Sequence, residues 1–231
     1  MSILDAAIGW LAPPQCLGCG LEGSALCVAC LAAEIIPYGA HCFGCGAVSP
    51  DGRTCPKCRK AGTPRSVWVS TNYEGLARNL VKKYKFGHQR IVAETLAELM
   101  ADTFLAFNSQ AGAQKANYLA VPVPTATHRV RRRSFDHAAW LARAIAKKLG
   151  LENSQVLNRL GQTQQVGALR ATRLNQTEGN YFIRYAYKVK GRNILLIDDV
   201  VTTGATLRAA TKALRAAGAR HVDALVFAKR L

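Results

Sequence analysis

The chain of 231 residues carries 31 Lys and Arg against 14 Asp and Glu, a net charge of +17, with 49% hydrophobic and 7% aromatic residues. That length suits one α/β domain with a small appendage, and no apolar run approaches the roughly 18 residues of a membrane span. Residues 1–62 hold four basic and four acidic side chains, so the whole surplus lies from Thr63 onward, a field that attracts polyanions, nucleic acid first and anionic lipid second.

Met1 to Leu11 carries Asp5 and no Lys or Arg, unlike a signal peptide, and the expected location is the cytoplasm. Ile3, Leu4, Ala7, Ile8 and Leu11 fall on one face at helical spacing, and Pro13-Pro14 ends the pattern. A short helix packed on its own protein is expected there, ahead of tethering at the inner face of the membrane.

All eight cysteines follow as four Cys-x-x-Cys pairs: Cys16/Cys19, Cys27/Cys30, Cys42/Cys45 and Cys55/Cys58. Each pair offers two thiolates from one tight knuckle, and Zn²⁺ takes four in a tetrahedron, so eight ligands make two closed structural sites. Disulfides are disfavoured without a secretion signal. Sequential pairing, with Cys16, Cys19, Cys27 and Cys30 on one ion and Cys42, Cys45, Cys55 and Cys58 on the other, is preferred over a crossed arrangement. The module is poor in apolar residues, and metal binding would supply its stability.

Ala61-Gly62-Thr63-Pro64 reads as a linker, dividing the chain into a zinc-ribbon module over 1–62 and an α/β domain over 63–231. Ser66 to Tyr73 alternates as a strand. Gly75 to Phe86 reads as an amphipathic helix in which Lys82, Lys83 and Lys85 are interleaved with Tyr84 and Phe86. Lysines for phosphates beside aromatics for stacking make a single-strand binding surface; a solvated basic face with its aromatics turned inward is equally compatible with the pattern. Ile91 to Phe107 reads as a second helix and Tyr118 to Val121 as a buried strand. The basic run His128 to Arg133 then leads, through Ser134 to His137, into a helix over Ala138 to Leu149. Guanidinium groups meet phosphate oxygens bidentately. Val156 to Leu160 and the polar stretch Gln162 to Gln176, with Arg170 and Arg173, have no clear shape.

The chain is organised around Ile194-Leu195-Leu196-Ile197-Asp198-Asp199, followed by Thr202-Thr203-Gly204-Ala205-Thr206 and a helix running to Ala217 before Gly218. Four apolar residues suit a parallel strand buried on both faces. A helix N-terminus at the carboxyl end of such a strand offers N–H groups and a positive dipole end to an anion. The carboxylates beside it can accept from sugar hydroxyls or hold a hydrated divalent ion. Val222 to Phe227 reads as a closing strand.

This segment resembles the signature of type I phosphoribosyltransferases, which bind phosphoribosyl pyrophosphate (PRPP). The resemblance implies a parallel α/β sheet flanked by helices, with Asp198 and Asp199 on the ribose hydroxyls. It also implies that Thr202, Thr203, Gly204, Ala205 and Thr206 wrap the 5′-phosphate, and that Arg129 and Arg133 assist a pyrophosphate held with Mg²⁺. Arg131 and Arg132 are assigned with the lysines to nucleic acid.

With the four Cys-x-x-Cys pairs, Leu80-Val81-Lys82-Lys83-Tyr84-Lys85-Phe86 and Val123-Pro124 before the arginine run, the chain resembles the ComF/GntX family over nearly its whole length. That family is associated with natural competence, which implies handling of incoming single-stranded DNA, with the competence helicase and recombinase-loading proteins as partners. Two alternatives stand beside this reading: an active phosphoribosyltransferase acting on an unidentified nitrogen acceptor, and a PRPP-sensing regulator. Family members usually carry Arg-Gly-Phe-Asn-Gln where this chain has Arg133-Ser134-Phe135-Asp136-His137, and the added carboxylate would disfavour a nearby pyrophosphate.

Overall fold

The alternation of apolar residues along Ile194 to Ile197 determines how the domain is layered. A computed structural model describes residues 13–86, 90–108, 118–124, 136–159 and 181–230. The N-terminal helix expectation, Arg129, Arg131, Arg132 and Arg133, and the Gln162–Gln176 stretch with Arg170 and Arg173 lie outside the described residues.

The described strands are β1 (Val67–Asn72), β2 (Tyr118–Pro122), β3 (Glu152–Asn153), β4 (Leu157–Arg159), β5 (Tyr181–Ile183), β6 (Asn193–Val201) and β7 (His221–Lys229). The helices are α1 (Val28–Glu34), α2 (Gly75–Phe86), α3 (Arg90–Phe107), α4 (His137–Leu149) and α5 (Ala205–Ala216). Five strands form one sheet in the order β1-β7-β6-β2-β3, with every pair parallel.

Because β6 is central, successive side chains enter different cores. Leu195 and Ile197 join Leu225, Phe227 and the buried faces of α2, α3 and α4. Ile194 and Leu196 join Val121, Val226 and Leu207, Ala210 and Leu214 of α5. Truncating a residue such as Leu196, with no solvent exposure, to alanine would cost about 2–5 kcal/mol.

The signature strand runs further than its four apolar residues imply: it carries the acidic pair and ends at Val201. Pairing of Asp198 with Val226, of Val200 with Ala228 and of Val201 with Lys229 carries the ladder past the acids. The segment of unclear shape yields β4, which pairs antiparallel with β5 outside the main sheet. Val156, Leu157 and Tyr181 close the α5 side of the core.

The cysteine-rich module lies along the β1 edge. Isolated bridges join Pro37 to Thr71 and Arg53 to Ser66, Thr71 Oγ1 donates to the Ile36 carbonyl at 2.7 Å, and the Trp68 indole donates to the Asp51 carbonyl at 3.2 Å. Ala25 and Ile35 are buried in the same cluster as Trp68 and Leu76. No helix among the described residues is long and apolar enough to cross a membrane.

Candidate functional site

The thiols assemble sequentially. Cys16, Cys19, Cys27 and Cys30 form one group and Cys42, Cys45, Cys55 and Cys58 another, the Sγ atoms within each lying within 4.8 Å of one another. A tetrahedron with Zn–S bonds of about 2.3 Å has edges of about 3.8 Å. The Cys19–Cys27 and Cys45–Cys55 sulfurs stand 3.7 Å and 3.9 Å apart, so both groups fit such an ion.

Backbone N–H groups point at the cluster sulfurs, from Cys27 to Cys16 at 3.4 Å and from Cys55 to Cys42 at 3.3 Å. Hydrogen bonds from the Cys19 and Cys27 backbone lower Cys16 to about 6. Burial raises Cys42, but the backbone bonds of Cys55, Cys45 and Gly44 outweigh it and leave that thiol at about 6 as well. These backbone hydrogen bonds favour the thiolate at Cys16 and Cys42, the form that ligates a metal ion, while hydrogen bonds with the neighbouring thiols push Cys30 and Cys58 up.

At the far end of β6 the two acids have different surroundings. Lys85, on α2, reaches Asp199 with Nζ 2.8 Å from Oδ1. Asp199 donates its own N–H to Asp198 Oδ1 at 2.9 Å. Burial and then the neighbouring Asp199 carboxylate push Asp198 up to about 7, against the opposing charge of Lys85. A pair of acids at a strand end, one of them raised by burial to about 7, makes this end of the sheet a candidate site.

Helix α2 brings Lys85 there because its other face is core. Leu76, Leu80, Val81 and Tyr84 are buried, whereas Lys82, Lys83 and Phe86 are exposed. Tyr84 is therefore a packing residue, its ring 5.1 Å from that of His137 at an interplanar angle of 86°. Its hydroxyl donates to the His137 carbonyl, fastening α2 to the first turn of α4. Burial, followed by the charges of Asp199 and Asp136, raises the phenol well above its usual range.

Asp136 has a structural task that the sequence comparison with Asn did not suggest. It is the N-cap of α4, its Oδ1 accepting from the Ala139 N–H at 3.2 Å. An acid directly before an alanine-rich helix is a cap signal, and that signal could have been read.

The Thr-Thr-Gly-Ala-Thr loop opens α5 with Gly204 at φ 72° and no side-chain cap from that residue, leaving the first-turn N–H groups beyond Ala205 for an anion. Thr202, Thr203, Ala205 and Thr206 are exposed and Gly204 is buried. Thr203 Oγ1 accepts from the Ala205 N–H at 3.4 Å, and its carbonyl accepts from Arg208 at 2.6 Å.

Gly204 is covered by the cysteine module. A Cβ there would lie 2.1 Å from Phe43 Cζ, and Phe43 sits between Cys42 and Gly44 of the second knuckle. The Arg208 guanidinium lies 5.0 Å from the centre of the same ring. The second cysteine cluster is thus one residue from a ring that abuts the loop, a contact between positions too far apart in the chain for sequence patterning to suggest.

The family described as phosphoribosyl transferase domain matches residues 136–231, the stretch from the α4 cap to the chain end that contains the acidic pair and the loop. The chain is 30% identical over 171 residues to the DNA utilization protein YhgH of Salmonella typhimurium, covering 73% of this chain and 74% of that one. It is 27% identical over 197 residues to competence protein F of Haemophilus influenzae, covering 81% and 82% of the two chains. Among solved structures it is similar to an allosteric regulatory enzyme of purine biosynthesis, at 18% identity with a TM-score of 0.41, covering 62% of this chain and 29% of that one. The parallel sheet and the matched domain are those of a type I phosphoribosyltransferase fold. Likeness to the Salmonella relative over nearly three quarters of both chains establishes that the chain belongs to the ComF/GntX family.

Proposed function

We propose that the protein handles incoming single-stranded DNA in natural competence and DNA utilization, and that its phosphoribosyltransferase-like domain retains a site for PRPP or a related ribose phosphate. The observation that carries this is the meeting of the acidic pair with the uncapped start of α5, in a chain whose relatives are named for competence and DNA utilization. Asp198 and Asp199 would accept from ribose hydroxyls, and the backbone of residues 202–206 would take the 5′-phosphate. Lys85 offsets the charge of two adjacent carboxylates, which otherwise repel at this distance. The cysteine clusters would hold Zn²⁺, supplying folding energy rather than chemistry, because four thiolates leave no open position. Mg²⁺ would accompany PRPP, bound through its phosphates and the acidic pair.

The net charge of +17 would supply affinity for a polyanion, and the exposed Lys82 and Lys83 are candidates for phosphate contact. The test pairs two measurements: binding of a single-stranded oligonucleotide at physiological salt, and transformation by a strain lacking the gene. Absence of binding, or transformation undiminished by the deletion, rejects this reading.

One observation favours a second reading, an active transferase. Asp198, at about 7, could accept a proton from a nitrogen nucleophile near neutral pH. Pyrophosphate released from PRPP in the presence of nucleobases, and abolished by Asp198→Asn, would support it; release that survives the substitution assigns it to another source.

A further inference from the structure

Between Glu178 and Asp198 the chain carries no acid and four cations, Arg184, Lys188, Lys190 and Arg192. This segment leaves β5, makes a single 3-10 turn over Ala186–Lys188 and enters β6. Val189 is fully buried and anchors the turn. The residues before it are turned outward, with Tyr185 45% and Tyr187 73% exposed.

Two large rings in water are unusual for a turn that is pinned from beneath, and Tyr185 carries a backbone cost as well. Its φ is +68°, the only positive value at a non-glycine position among the described residues. A bulky side chain in the left-handed region is strained, and such strain persists where function holds it.

The rings stand 6.1 Å apart at an interplanar angle of 69°. Arg184 and Lys188 lie 5.0 Å and 6.0 Å from the centre of the Tyr185 ring. Lys190 runs along the Gly218 turn, and the Arg220 N–H donates to the Arg192 carbonyl at 2.8 Å, bringing Arg220 to the same surface. Arg192 is engaged elsewhere, by Glu152 at 2.6 Å.

We propose that Tyr185 and Tyr187, flanked by Arg184, Lys188, Lys190 and Arg220, form a stacking site for single-stranded nucleic acid. Exposed aromatic faces take bases of any sequence while the surrounding cations meet the backbone phosphates. The site lies at the start of β6, and the acidic pair is five and six residues, or roughly 17–20 Å of strand, away. A strand bound here leaves the ribose-phosphate site free.

The proposal rests on the reading that the protein handles single-stranded DNA, and the test separates the two. A fluorescent oligothymidylate is titrated into the zinc-loaded full chain at several salt concentrations. The variants are Tyr185→Gly/Tyr187→Ala and Lys188→Ala/Lys190→Ala, with thermal melts of each. Loss of stacking weakens binding about tenfold or more. Glycine at a positive φ keeps or raises the melting temperature, whereas a merely structural tyrosine would lower it. The lysine variant, which removes two phosphate contacts at about 0.7 each on a single strand, reduces the slope of log affinity against log salt by roughly 1.4. Tight binding by the wild type that is unaltered in the tyrosine variant overturns this site and leaves the DNA reading standing. A wild type that binds no oligonucleotide overturns both. Equal affinity for duplex and single strand also overturns the site, because charge without stacking would explain it.

Discussion

Gly204→Ala tests whether the second cysteine knuckle is seated on the loop before α5. The added methyl would lie 2.1, 2.8 and 3.2 Å from three carbons of the Phe43 ring, where carbon atoms rest at about 3.5–4.0 Å. The ring must move by more than 1 Å on that comparison, and overpacking of this kind costs about 1–3 kcal/mol. A further 1–2 kcal/mol or so comes from placing alanine at φ 72°. Urea unfolding of the zinc-loaded protein should therefore show a loss of about 2–5 kcal/mol. The second arm of the experiment is Phe43→Ala, which removes the obstruction but not the backbone cost. In the double variant the alanine at 204 should cost only the backbone part, giving a coupling of at least about 1 kcal/mol between the two positions. Costs that add to within about 0.5 kcal/mol would refute the contact and detach the cysteine module from the loop.

Three other outcomes follow from the site. Asp198→Asn should stabilise the fold while weakening ligand binding, as substitutions at strained functional positions often do. Asp198 is raised to about 7 in the folded state from an ordinary value of 3.8, so its contribution is most favourable below about 4 and is lost as pH rises to 7. The advantage of the variant in urea melts should grow by the order of 1–2 kcal/mol between pH 5.5 and 8, and an advantage that shrinks over that range contradicts the assignment. Tyr84→Phe removes the hydroxyl that fastens α2 to α4. It should cost about 1–2 kcal/mol, read from chemical denaturation, since the His137 carbonyl loses a buried donor. Stripping zinc with a chelator should unfold the cysteine module and release the Trp68 indole from Asp51; an indole proton resonance for Trp68 that is unmoved by metal removal would count against that linkage.

How much of this was visible beforehand depends on the range of each interaction. The β6 strand, its acids and the loop were legible because an unbroken apolar run, two carboxylates, a glycine and three threonines fall within 14 residues, from Ile194 to Leu207. The cysteine groups were legible through local spacing. Helix α2 was legible as an amphipathic helix, but its pattern could not tell an exposed lysine from one that reaches another element. Lys82 and Lys83 face solvent, and Lys85 meets Asp199. The contact of Phe43 with Gly204 spans most of the chain and leaves no periodic trace. Tyr185 gives no composition signal for its left-handed backbone, because glycine or asparagine would be expected there.

Retention of a ribose-phosphate site is the claim on which the function turns, and calorimetric titration of the zinc-loaded protein with PRPP and Mg²⁺ tests it most directly. The account predicts saturable binding by the wild type that disappears in Asp198→Asn/Asp199→Asn, with oligonucleotide affinity preserved in both. No saturable heat from the wild type, or binding of equal strength by the double variant, would contradict it.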